Sequence, residues 1–460
     1  MMKRWILLLL WVGFLFPPAA VAYQGGEKAV GDLSGIQTLD LLTAKQIALS
    51  GNPTVAAAQA RVQQAAQRVR QASAAYWPQV DTSTSVFHSR LSDNEVNSSL
   101  QLARLFDTSV RLDNPDEQYS AGISASWVLF DGFARKFSIE AETLGELQQV
   151  KAGQEVSRQL LAAVAATYYN AQLFRENMAI AAADKAFNQR QVVEAETRLR
   201  VGTGALSDVL NFKVQANSAR SRWNTAQLEY DRFLIGLVAL MGFSEVEVPK
   251  GMMLSPLAPE CDSEMQLPEP DALVAEALVN RPDLQQSDFR IQQSEAQIQL
   301  ARADLFPKLN FSTELSGNRT NDPGYEGDDF GYALGLNLSY NLFSGGATQA
   351  RVREALWVRT EAAQNRSDLS LSIAAEVRKA VAELRRAQAE IKLQRVNTEL
   401  VQQNRDLVEQ EYAAGQGTLV RLNEAQRDLI TAKSRLALAL VSLRQAWQNL
   451  ESATGRILRD

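Results

Sequence analysis

The sequence predicts a mixed α/β membrane protein, mostly α, in which short barrel-type strands feed very long helices. Three observations predict it. Tyr119 to Leu129 alternates strictly: Tyr119, Ala121, Ile123, Ala125, Trp127 and Leu129 fall on one face, and Ser120, Gly122, Ser124 and Ser126 on the other. Such alternation marks a strand, and an apolar face opposite a small, polar one with aromatics near the ends marks a membrane β-barrel strand. Directly behind it, the stretch from Phe133 to Arg200 has no proline and only two glycines, Gly145 and Gly153. Helical throughout, it is about 100 Å long, so it must lie in a bundle or coiled coil. Third, the pattern returns: Tyr332, Leu334, Leu336, Leu338, Tyr340 and Leu342 alternate with Gly335, Asn337, Ser339 and Asn341, and another long proline-free stretch follows.

The chain opens with Lys3 and Arg4, an apolar run from Trp5 to Phe16, and Ala20-Val21-Ala22. These are the parts of a secretory signal, so residues 1–22 are expected to be cleaved after Ala22. The run is too short for an anchor helix, which needs about 20 residues. With no cysteine nearby, a lipoprotein leader is not expected. No later stretch is long and apolar enough for a membrane helix, so a spanning mature chain must use a closed barrel.

Composition narrows the function. The net charge of −6, or about −8 without the leader, offers no basic surface for nucleic acid. One cysteine, Cys261, and one histidine, His88, exclude an intrachain disulfide and argue against a Cys/His metal site. No nucleophile–base pairing, phosphate loop or metal cluster stands out, so no enzyme, cofactor or metal is expected. Cys261 is read as an incidental thiol and His88 as a surface residue.

The first half spans 23–242. After a Gly-rich leader comes a helix, interrupted at Gly51-Asn52-Pro53, with Pro53 suited to the first position of its successor. Trp77-Pro78 ends that helix. Strands are expected over about 79–88 and 119–130, with Phe87 to Gln118 as a polar loop. The long helix covers 133–200. Val201-Gly202-Thr203-Gly204 turns the chain into a helix over 205–241. A connector at 243–270, with Pro249, Pro256, Pro259, Pro268 and Pro270, has little regular structure. The second half, 271–460, is read as a helix (271–305), strands (308–316 and 331–342), a long helix (346–413) and a returning helix (418–454).

The halves align as a tandem repeat. Asn52-Pro53 matches Arg281-Pro282 and Trp77-Pro78 matches Phe306-Pro307 at one common offset. Leu129-Phe130-Asp131-Gly132 matches Leu342-Phe343-Ser344-Gly345, Val201 to Gly204 matches Ala414-Gly415-Gln416-Gly417, and Gly242 matches Gly455, all at a second, smaller offset. Each block therefore aligns without a gap. The whole difference between the offsets falls in the loop between the strands, which is longer in the first half. Variation confined to that loop marks it as a surface feature. The helices before the first strand and after the turn together nearly equal the long helix. Stacked end to end, they could line it.

These features, with the VGTGALSDVL and AGQGTLVRLNEAQ turns, resemble the TolC family of outer-membrane channel proteins over about residues 40–458. The resemblance implies a homotrimer whose protomers each give four strands to a 12-stranded transmembrane β-barrel, continuous with a long periplasmic α-helical barrel. It implies an exit duct for efflux or type I secretion, with a periplasmic adaptor and an inner-membrane pump as partners and outer-membrane lipid around the barrel. The pump chooses the cargo, so drug, metal and protein export share one conduit. The competing class is a periplasmic adaptor or structural coiled-coil protein without a pore; an adaptor usually has a single hairpin.

By the same resemblance the turns are adaptor-contacting tips: Val201, Gly202, Thr203 and Gly204, and Ala414, Gly415, Gln416 and Gly417, with Thr418 and Leu419 beside them. The plainer alternative is that the glycines only permit a positive φ at a helix end. The family's periplasmic gate maps to Tyr412 for its aromatic residue and Glu424 for one acidic position. Arg421 stands at the other acidic position, a departure, and Asp208 occupies the equivalent place in the first half. An inward acidic ring concentrates cations and an arginine ring lessens that preference; alternatively Arg421 pairs with Glu424 at i, i+3. The lipid-facing set is Tyr119, Ile123, Trp127, Leu129, Tyr332, Leu336, Leu338, Tyr340 and Leu342, the alternative being a soluble β-layer on its own core.

Overall fold

The computed structural model describes residues 37–104, 116–243 and 251–459. The expected signal segment lies outside them. The chain begins with β1 (Thr38–Leu39), α1 (Leu41–Gly51), α2 (Pro53–Ala74), β2 (Gln79–Ser89), α3 (Asp93–Arg104), β3 (Asp116–Phe130), α4 (Ala134–Arg200) and α5 (Leu206–Leu240). It continues with β4 (Met253–Leu254), α6 (Pro270–Asn280), α7 (Pro282–Ala303), β5 (Lys308–Thr320), β6 (Phe330–Ser339), α8 (Ala347–Ala413) and α9 (Leu419–Thr454). The second half thus repeats the layout of the first, and α4 and α8 are both 67 residues long. Among the described residues no helix is long and apolar enough to cross a membrane.

The helix joints explain the end-to-end stacking. Asn52 leaves helical geometry at ψ 125° because Pro53 follows. Its Oδ1 caps α2 by accepting from Thr54 N at 2.8 Å, and its Nδ2 donates to Leu240 O at the end of α5, 2.7 Å away. Arg281 makes the corresponding tie in the second half without capping α7 by its side chain: it breaks the expected helix 271–305 into α6 and α7 at ψ 124° and donates from Nη1 to Ala453 O at 3.3 Å. Each joint therefore ties the tail of a returning helix to the head of an upper one, and each pair lines one long helix.

Strands β2-β3-β5-β6 form one antiparallel sheet in that order, with β2 and β6 as its edges. The register brings Thr82, Ile123, Leu315 and Tyr332 to one level, and Asp81, Ser124, Glu314 and Ala333 to the next. Directly paired residues share a face. One face of the sheet is therefore apolar (Val80, Ile123, Trp127, Phe311, Leu315, Leu336) and the other small and polar (Ser83, Ser124, Ser312, Asn337). Between β3 and α4 the chain turns through Gly132 (φ 67°) and Phe133 (φ 70°). Arg135 secures this turn: Nε donates to Asp131 at 2.9 Å and Nη2 to Leu129 O at 3.2 Å. The second half uses Gly345 (φ 62°) and Gly346 (φ 84°) there.

Several expectations are corrected. The described part of the loop expected over Phe87 to Gln118 contains α3, because Ser92 and Glu95 form a reciprocal cap, Ser92 N to Glu95 Oε2 at 3.1 Å and Glu95 N to Ser92 Oγ at 3.4 Å. Strand β3 starts earlier than expected, at Asp116, and β5 extends to Thr320 instead of 316. Strand β6 stops at Ser339, not 342, because Ser339 already pairs with Lys308, the first residue of its partner. A bulge between Val128 and Phe130 takes Leu129 out of the alternation. The described part of the connector holds little regular structure: β4 pairs in parallel with β1, and Asp262–Met265 form a 3-10 turn.

Three cores hold the helices. One belongs to the first half, around Leu39, Val164, Tyr168, Leu237 and Met241. One belongs to the second, around Leu284, Ile373, Leu384, Ile391 and Leu443. The third lies near the two turns and takes residues from both halves, Phe187, Val209 and Phe212 with Val408, Leu422 and Ala425.

Candidate gate, docking tips and barrel face

The two turns are built alike. Arg198 O accepts from Thr203 N at 2.9 Å and Gly204 N at 3.0 Å, and Glu411 O accepts from Gln416 N and Gly417 N at the same distances. Gly202 and Gly415 sit at φ 79° and 76°, where a side chain is strained. Gly204 and Gly417 are needed for space, since a Cβ on either would lie 2.9 Å from the preceding helix end. Val201, Thr203, Ala414 and Gln416 are exposed at the apices, together with Leu206 and Val420 on the first turns of the returning helices.

Tyr412 is half-buried against the shared core, with its ring edge-on to Phe212 at 6.2 Å and under the Arg198 guanidinium at 5.2 Å. Burial raises the pKa of its phenol, Asp208 and Glu194 add to this, and Arg198 opposes it. Tyr412 therefore stays neutral through physiological pH. Of the predicted gate residues, Asp208 and Tyr412 are near enough to interact electrostatically. Arg421 and Glu424 are not paired. Arg421 Nη1 instead bonds Glu411 Oε2 at 3.0 Å, across the hairpin, and Glu424 is exposed on α9.

The sequence held a sign of this pairing that the i, i+3 spacing obscured. Positions 198 and 208 are Arg and Asp; their repeat counterparts, positions 411 and 421, are Glu and Arg. The charges are exchanged between the two hairpins. Arg198, Glu411 and Phe212 thus belong with the candidate gate residues although none was singled out from sequence.

On the sheet, Ile123, Trp127, Tyr332, Leu336 and Leu338 all present exposed side chains, and Tyr119, which is less exposed, pairs with Val86 and Arg319. The Trp127 indole donates to Tyr76 O at 2.9 Å, joining the strand to the end of α2. Leu129 sits at the bulge, and Tyr340 and Leu342 follow the end of β6. Val80, Val86, Phe311 and Leu315, which complete the apolar face, were missed because β2 and β5 carry Thr and Ser between fewer large residues.

The family model for "Outer membrane efflux protein" matches residues 44–243 and 273–456. The chain is 27% identical to protein CyaE of Bordetella pertussis over 428 residues, covering 92% of this chain and 85% of that one. It is 26% identical to the pyoverdine export outer membrane protein OpmQ of Pseudomonas aeruginosa, with the same two coverages. Among solved structures, the outer membrane protein VceC of Vibrio cholerae superposes with a TM-score of 0.73 at 17% identity, over 90% of this chain and 96% of that one.

Proposed function

Since the chain belongs to the outer membrane efflux protein family, we propose that it is the outer-membrane exit duct of a tripartite efflux or type I secretion system. It passes substrates from an inner-membrane pump and a periplasmic adaptor to the exterior, and it works as a homotrimer after loss of its signal peptide. The observation that carries this is the sheet. It is apolar on one face, polar on the other, and, among the described residues, open at both edges. Open edges in lipid leave backbone groups unpaired, so β6 of one protomer is paired with β2 of the next until twelve strands close. The helices support the same assembly. Leu393, Val396, Leu400 and Leu407 on α8 form an exposed stripe at coiled-coil spacing, and Leu206, Leu210 and Val214 on α5 form another at every fourth residue, which neighbouring protomers cover.

At the far end, Tyr412, backed by the buried Phe212, and the Arg421–Glu411 pair narrow the tunnel, and the apices meet the adaptor. The pairing cancels the charge of Arg421, which leaves Glu424 as the free carboxylate of the second hairpin's first turns. A modest cation preference follows. Arg421→Asp adds three carboxylates per trimer and leaves Glu411 unpaired. Its expected result is a rise in cation-over-anion permeability of about threefold or more, read from reversal potentials in a salt gradient.

Cell fractionation tests the proposal. The protein is expected in the outer-membrane fraction as a trimer that resists detergent until heated. A monomer recovered from the soluble periplasm would support the pore-less coiled-coil alternative instead.

A further inference from the structure

The seam between the two halves differs from the packing within them. The two large cores each lie inside one half, and the joint of α4 with α9 is stitched by polar side chains at three levels. Arg158 Nη1 donates to Ser452 Oγ at 2.7 Å. Gln445 Nε2 donates to Asn170 Oδ1 at 3.2 Å. Gln426 Nε2 donates to Asp184 Oδ1 at 2.8 Å. The last stands closest to the turns, about 25 Å from Val201 along α4, just above the core that the hairpins share.

Asp184 is only 2% exposed. Its carboxylate also accepts from Asn188 Nδ2 at 3.0 Å and from the Arg222 guanidinium of α5. Asn188 and Arg222 belong to the first hairpin; among the described residues Gln426 alone reaches in from the second. Gln426 is itself buried, and its Oε1 has no hydrogen-bond partner among the described residues. Near the turns, one directional bond to a buried charge therefore crosses the interface; the buried Arg158 makes another to Ser452 further up α4, and between more exposed side chains Asn423 Nδ2 donates to Asn211 Oδ1 at 2.7 Å. Apolar contacts such as Phe187 against Val408 tolerate sliding, whereas a hydrogen bond to a buried carboxylate holds in one register only. Moving the second hairpin by a fraction of a turn strips Asp184 of a donor, which a buried charge resists.

We propose that Asp184 is a positioning residue for the gate: by accepting the Gln426 amide it fixes the register of the second hairpin against the first and so sets how far the tips stand apart at rest. This rests on the gate assignment given above. It adds a determinant remote from the tips, buried in the seam between the hairpins.

The test is single-channel recording of the purified full-length trimer in planar bilayers. Gln426→Met, of similar volume, removes the crossing bond and leaves Asp184 with Arg222 and Asn188. Its expected effect is about a tenfold rise in the ratio of open to closed time, as for the loss of one hydrogen bond to a charged group, with the heat-dissociation temperature of the trimer changed by no more than a few degrees. Asp184→Asn combined with Gln426→Glu moves the charge to the other side of the same bond and is expected to restore the closed time. Tyr412→Ala serves as the control at the tip. If Tyr412→Ala opens the channel and Gln426→Met does not, the latch is overturned and the gate assignment stands. If neither opens it, the gate assignment fails and the latch with it. If Gln426→Met opens the channel but the paired exchange does not reclose it, packing rather than the bond is responsible, and the proposal is equally overturned.

Discussion

Replacing Leu336 with lysine is expected to abolish assembly in the outer membrane. Leu336 sits in the middle of β6, paired with Phe311 and level with Trp127, on the apolar face. A lysine facing lipid at the bilayer midplane costs about 2–4 kcal/mol, and a trimer carries three of them. The neighbouring Asn337 pairs with Asn310 on the opposite face, so Asn337→Lys meets water in the lumen and is expected to assemble normally. The comparison is read from the amount of heat-modifiable trimer in the outer-membrane fraction. Equal assembly of the two variants would mean that the apolar face does not meet lipid, as in a soluble β-layer.

The second large effect is expected at Gly242. It ends α5 at φ 92°, and a Cβ there would lie 2.3 Å from Gly51 O and 2.6 Å from Gly51 C. Backbone cannot give way as a flexible side chain does, so Gly242→Ala must separate the stacked helices at the Asn52 joint. Gly455 occupies the matching place in the second half at φ 78°, but its nearest neighbour would be 3.4 Å away, at Asn280. Gly455→Ala therefore carries only the conformational strain, about 1–2 kcal/mol, and Gly242→Ala carries that plus a steric clash, together more than about 3 kcal/mol. The expected result is a large fall in folded yield and heat-dissociation temperature for Gly242→Ala, and a small one for Gly455→Ala. Similar losses in both would show that the close approach at Gly51 is not what joins the two helices.

Much of the architecture was legible because glycine and proline punctuate it. Val201 to Gly204 and Ala414 to Gly417 mark turns that only small residues can make, and Pro53 and Pro282 mark the two helix joints. The absence of proline over long stretches, with glycine there only at Gly145 and Gly153, was as informative, placing α4 and α8 almost to their ends. Strand faces were visible where large apolar residues alternate, as at Tyr332 to Leu338.

What escaped the sequence depends on partners far along the chain. The end of β6 is set by where β5 begins, and the Leu129 bulge by the register of β3 against β5. The short helix α3 did carry its capping signature, Ser92 to Glu95, but its polar composition resembled a loop. At the proposed gate, Arg421 had an obvious neighbour in Glu424, whereas its actual partner, Glu411, lies on the other side of a turn. Asp184 looked like any charge on a long helix. Only the packing of α9 on α4 shows that it is buried and receives a donor from the other half.

The central claim is that three copies of this chain enclose one continuous conduit. Single-channel recording of the purified wild-type protein in a planar bilayer tests it most directly. Discrete, small conductance steps with a modest preference for cations, from protein that runs as a heat-modifiable trimer, are the expected result. Folded trimers that never insert into the bilayer would contradict the barrel, and with it the duct.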